Sequence, residues 1–307
     1  MLALLLINRR SRTGAANAAE VRDALREHGV TVIVRDADSP AHVDAALKAH
    51  SESVDMVVVG GGDGTIGMAA GALMRAERPV AIVPLGTAND LARTLMIPPD
   101  IAGACRNAVE GRAHAIDLGQ CNDVYFVNVA SLGLPVRASK YRSALAKRWL
   151  GPLGYAGNVI SAYRQTEPFN AELIWGGHRK SVHTIQLVVG NGRYFGGGLA
   201  VARDAMPDDG NLDIYSLAPQ TPLAMLAKLP AIVRGPDHEL TGVSLLKADA
   251  LRVNTGEPMS INTDGELLTE TPADIRIIPG ALQIKVPEAY FHLAESAASA
   301  DAGPTYN

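Results

Sequence analysis

Along the first third of the chain, short apolar runs alternate with segments of helical spacing. LALLLI, Leu2–Ile7, has no polar interruption, as expected of a strand buried on both faces. Residues 15–28 follow with Val21 and Leu25 on one helical face. VTVIV then reads as a strand and residues 41–49 as a helix. The pattern repeats as a strand at 55–59, a helix at 65–76, a strand at 79–83 and a helix at 89–95. Strands alternating with helices predict a parallel sheet covered on both sides. Ligands bind such sheets beyond the carboxyl ends of the strands. Two loops fall there, GGGDGT at 60–65 and PLGTAND at 84–90.

After Cys121 the pattern changes to short β-rich runs: VYFVNVAS, AELIWG, HTIQLVVG, LDIYSL, ALRVNT, MSINTDG, IRIIPG and LQIKV. Asp-Gly and Gly-Gly turns separate them, which predicts an all-β second domain. A helical insertion at 136–163 interrupts it. The last strand, at 283–286, and a helix from Glu288 are expected to return to the first domain. Residues 296–307 are small and polar, as in a disordered tail.

A chain of 307 residues suits two domains. The net charge of −4 gives no global basic field, so nucleic acid is not an expected partner. Cys105 and Cys121 form no C-x-x-C and no framework, which fits a reducing cytoplasm. At the N-terminus the apolar run precedes the basic residues, the reverse of a signal peptide, and it is too short to span a bilayer.

Gly62, Gly64 and Gly67 fit G-x-G-x-x-G after a strand, the dinucleotide fingerprint. That motif also needs an acidic residue at the end of the next strand. Pro84-Leu85-Gly86-Thr87 stands there instead, so hydride transfer is disfavoured. No Gly-Lys pair exists for a Walker A loop, and no H-E-x-x-H or G-x-S-x-G occurs. GGGDGT still carries anion-binding physics. Glycines let the backbone approach a phosphate, and Thr65 can open a helix whose N-terminus attracts one. Asp63 would repel phosphate, so it either binds a metal or holds the loop by hydrogen bonds, and on this motif alone a tight strand-to-helix turn with a capping Asp reads equally well. PLGTAND repeats the strand–turn–helix logic one unit later.

GGDGT together with PLGTANDLAR, 84–93, resembles the diacylglycerol kinase catalytic domain, the superfamily of bacterial lipid kinases, sphingosine kinases and ceramide kinases. Further stretches match in the family's order. They are Asn8 and Gly14, AIDLG at 115–119, then Asn128, Ser131 and Gly133, FGGG at 195–198, DDGNLD at 208–213 and DGE at 264–266. Arg9, Gly67 and Arg203 depart from its pattern. The resemblance implies an N-terminal three-layer α/β nucleotide-binding domain, 1–121 completed by 286–307, and a C-terminal β-sandwich domain for the lipid, 122–285. It implies ATP-dependent phosphorylation of a lipid hydroxyl, with ATP and magnesium in the interdomain cleft. Gly61, Gly62, Asp63, Gly64, Thr65 and Thr87 would lie at the phosphates, with Asn8, Asn89 and Asp90 also on the nucleotide. Asp264 would be the general base with Glu266 beside it. Asp63, Asp90 and Asp117 would form an acidic network around magnesium. A separate metal site would use the Asp209 carboxylate and the carbonyls of Met206 and Asn211. On the residues alone, Asp264 reads as an Asp-Gly hairpin turn, and Asp208 and Asp209 as turn residues.

A lipid must then be met at the membrane surface, making the protein cytoplasmic and peripheral. KYRSALAKRWLGPLGYAGNVISAY, 140–163, is the candidate contact, with Tyr141, Leu145 and Trp149 at helical spacing among Lys140, Arg142, Lys147 and Arg148. The alternative is an ordinary helix with a solvated basic face. NAD kinase, which shares GGDGT, and a non-catalytic nucleotide-binding regulator are the competing functions. The identity of the lipid is not legible, and a homodimer is left open.

Overall fold

The computed structural model describes residues 1–8, 14–134, 166–221, 224–225, 227–228, 231, 234–236 and 240–292. They form two compact units. The first contains Met1–Leu118, Met206–Asp209 and the chain from Pro279 onward, and the second contains Gly119–Ala205 and Gly210–Ile278. The insertion at 140–163 and the tail at 296–307 lie outside the described residues.

The first unit runs β1 (Leu2–Ile7), α1 (Gly14–Glu27), β2 (Thr31–Asp36), α2 (Pro40–His50), β3 (Met56–Gly61), α3 (Asp63–Ala76), β4 (Val80–Pro84), α4 (Asp90–Thr94), α5 (Ile101–Glu110) and the start of β5 (Arg112–Cys121). The strands pair in parallel in the order β2-β1-β3-β4. The register sets Leu4 between Ile33 and Val57. Every residue of β3 and β4 is buried, so both faces of the sheet are covered. The covering helices pack in pairs, α1 with α5 and α2 with α3. Two of the starts carry a side-chain cap. The Ser39 hydroxyl caps α2 at the His42 N–H, with Pro40 in its first turn. The Asp100 carboxylate caps α5 at the Gly103 N–H, 2.7 Å away.

The second unit continues with β6 (Val124–Phe126), β7 (Val129–Gly133), β8 (Phe169–Trp175), β9 (His178–Thr184), β10 (Gln186–Gly190), β11 (Tyr194–Phe195), β12 (Leu199–Ala200), β13 (Leu212–Leu217), β14 (Val243–Ala248), β15 (Ala250–Thr255), β16 (Ser260–Thr263), β17 (Glu266–Glu270) and the start of β18 (Ala273–Val286). One antiparallel sheet has the order β14-β13-β10-β7-β16-β17. A second runs β18-β15-β8-β9, and β5 pairs with β6. Alternation explains the sandwich. Leu187 and Val189 of β10 point into a core shared with Leu173, Val253 and Ile275 of the second sheet. Val188 points the other way, into a cluster with Phe195, Val201 and Tyr215.

Several elements differ from the sequence expectation. α5 lies outside the sequence expectation: IAGACRNAVE is built largely of small residues, and its buried face is Ala104, Cys105, Asn107 and Ala108. VYFVNVAS is two strands, split at Val127–Asn128, and HTIQLVVG spans the end of β9 and β10. β9 and β17 are exposed edge strands whose polar residues hide the alternation. IRIIPG and LQIKV are a single strand, β18. Pro279–Gly280 is a kink within it, with Gly280 at φ 59°. Its far end pairs in parallel with β4, Ile284 opposite Val80. A helical turn begins at Glu288.

Gly119, opposite Phe126 in the β5–β6 pair, is covered by the Phe126 ring, and a Cβ there would lie 2.1 Å from it. Gly119→Ala is therefore expected to expel the ring and cost about 1–3 kcal/mol, read from the urea midpoint. Burial pushes the Cys105 thiol up to about 11, with Glu20 adding to the shift, and the Cys121 thiol up to about 12, with Asp274 adding. Stability from burying neutral thiols is therefore complete below the ordinary thiol range of about 8.5 and is lost as pH rises toward those folded values. Both thiols should resist a disulfide-exchange reagent at pH 8 in the native protein and react in urea. Rapid native reaction of either would contradict the packing.

Candidate active site

β3 and β4 end side by side, and the loops that leave them touch. A Cβ on Gly62 would lie 2.9 Å from the Gly86 Cα, and a Cβ on Gly86 would lie 2.5 Å from the Gly62 Cα. Only glycine at both positions lets the two backbones approach so closely. The Leu85 N–H donates to the Gly61 carbonyl at 3.0 Å, extending the strand pairing into the loops. Asn89, at φ 51°, folds the second loop by accepting from the Gly86 N–H and donating to the Gly86 carbonyl.

Asp63 joins the two loops. Its carboxylate accepts the N–H of Asp90 at 3.0 Å and of Leu91 at 2.9 Å, so α4 receives its cap from the neighbouring loop. α4 has no side-chain cap of its own. Thr65 lies in the third position of α3, which opens at Asp63 with Gly62 as N-cap rather than at Thr65. The reason is local: the Thr65 and Ile66 N–H groups already turn back to the Gly62 carbonyl. Gly61, Gly62, Asp63, Gly64 and Thr65 thus come together with Thr87, Asn89 and Asp90. Thr87 is exposed and Asp90 buried, with Arg93 at 3.8 Å from Asp90. Asn8 is half-buried just past β1.

A second cluster in the same unit forms around the segment Met206–Asp209. The Asp117 N–H donates to the Pro207 carbonyl at 2.7 Å, and the Asp117 carboxylate accepts the Gly280 N–H at 2.7 Å. The Asp208 carboxylate accepts the Tyr290 hydroxyl at 2.9 Å and lies 2.6 Å from the His114 ring. Burial, with Asp208 adding to it, holds the Tyr290 phenol far above its usual range, so it remains a donor. The residues as read alone gave no signal for His114 or Tyr290 and marked Asp208 only as a turn residue. Their meeting depends on contacts across 94 and 82 positions.

The third cluster is in the second unit. Asp264 and Gly265, both at positive φ, form the two-residue turn between β16 and β17. The hairpin-turn reading of Asp264 is therefore right. The same carboxylate accepts three backbone N–H groups, from Val127 at 2.6 Å, Asn128 at 2.9 Å and Val129 at 3.1 Å. Asn191 pins that segment from another side, donating its side-chain amide to the Val127 carbonyl and its N–H to the Asn128 carbonyl. Glu266 is exposed at the start of β17. Asn211 also belongs to this unit, just before β13. Among the described residues no group of three or more His, Cys, Asp or Glu side chains is placed to hold a metal ion.

This arrangement can be compared with known proteins. The diacylglycerol kinase catalytic domain matches residues 2–121, and the YegS C-terminal NAD kinase beta sandwich-like domain matches residues 128–286. The chain belongs to the diacylglycerol kinase-related, YegS-like family. Within that family, a protein from Pectobacterium atrosepticum named "Probable lipid kinase YegS-like" is 32% identical, covering 93% of this chain and 96% of its own. One of the same name from Pseudomonas aeruginosa is 34% identical over 89% of each. A crystal structure of "a putative diacylglycerol kinase" from Bacillus anthracis superposes with a TM-score of 0.77 at 25% identity, covering 94% of this chain and 97% of that one. The family fold, an α/β domain followed by a β-sandwich, is the fold found here.

The Asp63 bonds give a direct test of the loop pair. Asp63→Asn leaves one acceptor oxygen for two N–H donors, and a lost bond of this charged type is worth about 1.5–3 kcal/mol. We expect the urea midpoint to fall accordingly. An unchanged midpoint would mean that the loops hold together without this carboxylate.

Proposed function

We propose that this protein transfers the γ-phosphoryl group of ATP to the hydroxyl of a lipid. The observation that carries the proposal is the pair of glycine loops touching at Gly62 and Gly86, set at the carboxyl ends of β3 and β4 in a chain of this family. Phosphoryl transfer depends on positioning and charge neutralisation more than on covalent chemistry. The close-packed loops leave no side chain at Gly61, Gly62 or Gly86 between backbone and phosphate. Thr65 and Thr87 add hydroxyl donors at the rim, and Asn8, Gly64 and Asn89 complete the nucleotide side.

Asp264 is the proposed general base, oriented by its three backbone donors, with Glu266 beside it in sequence. An oriented carboxylate can hold the acceptor hydroxyl and take its proton late in transfer. Magnesium, when bound, supplies charge neutralisation at the phosphates. The donors suited to a metal here are all oxygen, which fits a hard cation. They are the Asp209 carboxylate with the Met206 and Asn211 carbonyls, and the carboxylates of Asp90 and Asp117. Asp63 belongs to that proposed network too, while its two oxygens also accept the Asp90 and Leu91 N–H groups.

Among the described residues no helix is long and apolar enough to cross a membrane. The proposed encounter with lipid is therefore peripheral, at the bilayer surface.

The test is transfer of labelled γ-phosphate from Mg-ATP to diacylglycerol, sphingosine and ceramide in mixed micelles, with NAD in buffer. Wild type and Asp264→Asn would be run together. Label in one lipid, reduced about 10²–10⁴-fold in the variant, is expected for a general base. Label in NAD alone would move the protein to dinucleotide phosphorylation, the activity suggested by the name of the matched β-sandwich family.

A further inference from the structure

Three segments far apart in sequence meet at the Asp208 carboxylate. One oxygen takes both the Tyr290 hydroxyl, at 2.9 Å, and the His114 ring nitrogen, at 2.6 Å. Tyr290 is fully buried. Its ring centroid is 5.3 Å from that of His114, and Phe291 meets His114 edge-on at 5.4 Å. The Arg112 guanidinium lies 4.2 Å over the Phe291 ring. One residue earlier, the Pro207 carbonyl is held by the Asp117 N–H.

Aromatic packing alone would anchor the end of the chain equally well with phenylalanine at position 290. The hydroxyl and the imidazole instead both end on the carboxylate next to Asp209. Met206–Asp209 is thus fixed at Pro207 by main chain and at Asp208 by two side chains, while its outer residues carry the oxygens read above as cation donors. We propose that His114 and Tyr290 are positioning residues for a divalent cation. By gripping Asp208, they set the direction of the Asp209 carboxylate and the Met206 carbonyl. Neither residue is offered as a ligand. The inference rests on the reading of Met206–Asp209 as a metal loop. Partners that orient a metal-binding group from behind are worth about 10–100-fold in metal affinity.

The test is Mn²⁺ binding to the full-length protein without nucleotide, by titration calorimetry and by the paramagnetic resonance signal of free Mn²⁺. Tyr290→Phe keeps the ring packing and removes only the hydroxyl. His114→Gln is the second, independent variant, and Asp209→Asn identifies the site. We expect Asp209→Asn to abolish one binding event, and the other two variants to weaken that same event about tenfold or more. A merely structural role would lower the urea midpoint in EDTA and leave the Mn²⁺ affinity unchanged. If Tyr290→Phe and His114→Gln bind Mn²⁺ like wild type while Asp209→Asn does not, the clamp is overturned and the metal loop stands. If Asp209→Asn binds like wild type, the metal reading of the segment fails and the inference fails with it.

Discussion

The backbone contact between Gly62 and Gly86 is the constraint on which the first unit turns. Two strand ends in a parallel sheet are only about 4.8 Å apart. Loops leaving them diverge unless both lack a side chain at the point of contact. Here they do not diverge, and Asp63 locks the result by taking the first N–H groups of α4. One loop therefore supplies the helix cap of the other. The two loops are thereby tied to each other, as the proposed phosphoryl transfer, which depends mostly on positioning, requires.

The second unit solves a similar problem by other means. A hairpin turn is ordinarily an exposed and adaptable feature. At Asp264 it is fixed, because its carboxylate draws together three successive N–H groups from the Val127–Val129 corner, and Asn191 holds that corner from elsewhere in the unit. The acid is thus a turn residue whose carboxylate is held in one orientation.

What the sequence discloses and what it conceals follow from range. Runs such as LALLLI and MVVVGG announce buried strands, because burial on both faces leaves no polar position. The glycine loops are legible as close strand-to-helix turns, since glycine alone lets two backbones pass at such a distance. The sequence allows Asp63 to hold the loop or to bind a metal, and its bonds to the Asp90 and Leu91 N–H groups become visible only with the neighbouring loop in place. The cluster of His114, Asp208 and Tyr290 is silent for the same reason: no local pattern links residues so far apart. α5 is hidden by its small residues, and the edge strands β9 and β17 by their polarity. Pro279–Gly280 looks like a terminator, yet it only bends β18, whose freed Gly280 N–H goes to Asp117.

β18 also bears on how the molecule is made. The first unit draws on three separate stretches of chain, the last beginning at Pro279. Until Ile284 leaves the ribosome, β4 lacks its outer partner and the parallel sheet has an open edge. Until Tyr290 follows, Asp208 lacks one of its two side-chain donors. The first unit is begun before the second and completed only after the chain of the second has been made. No single cut near residue 121 can release it whole, and its folding waits on synthesis through Ile284 and Tyr290.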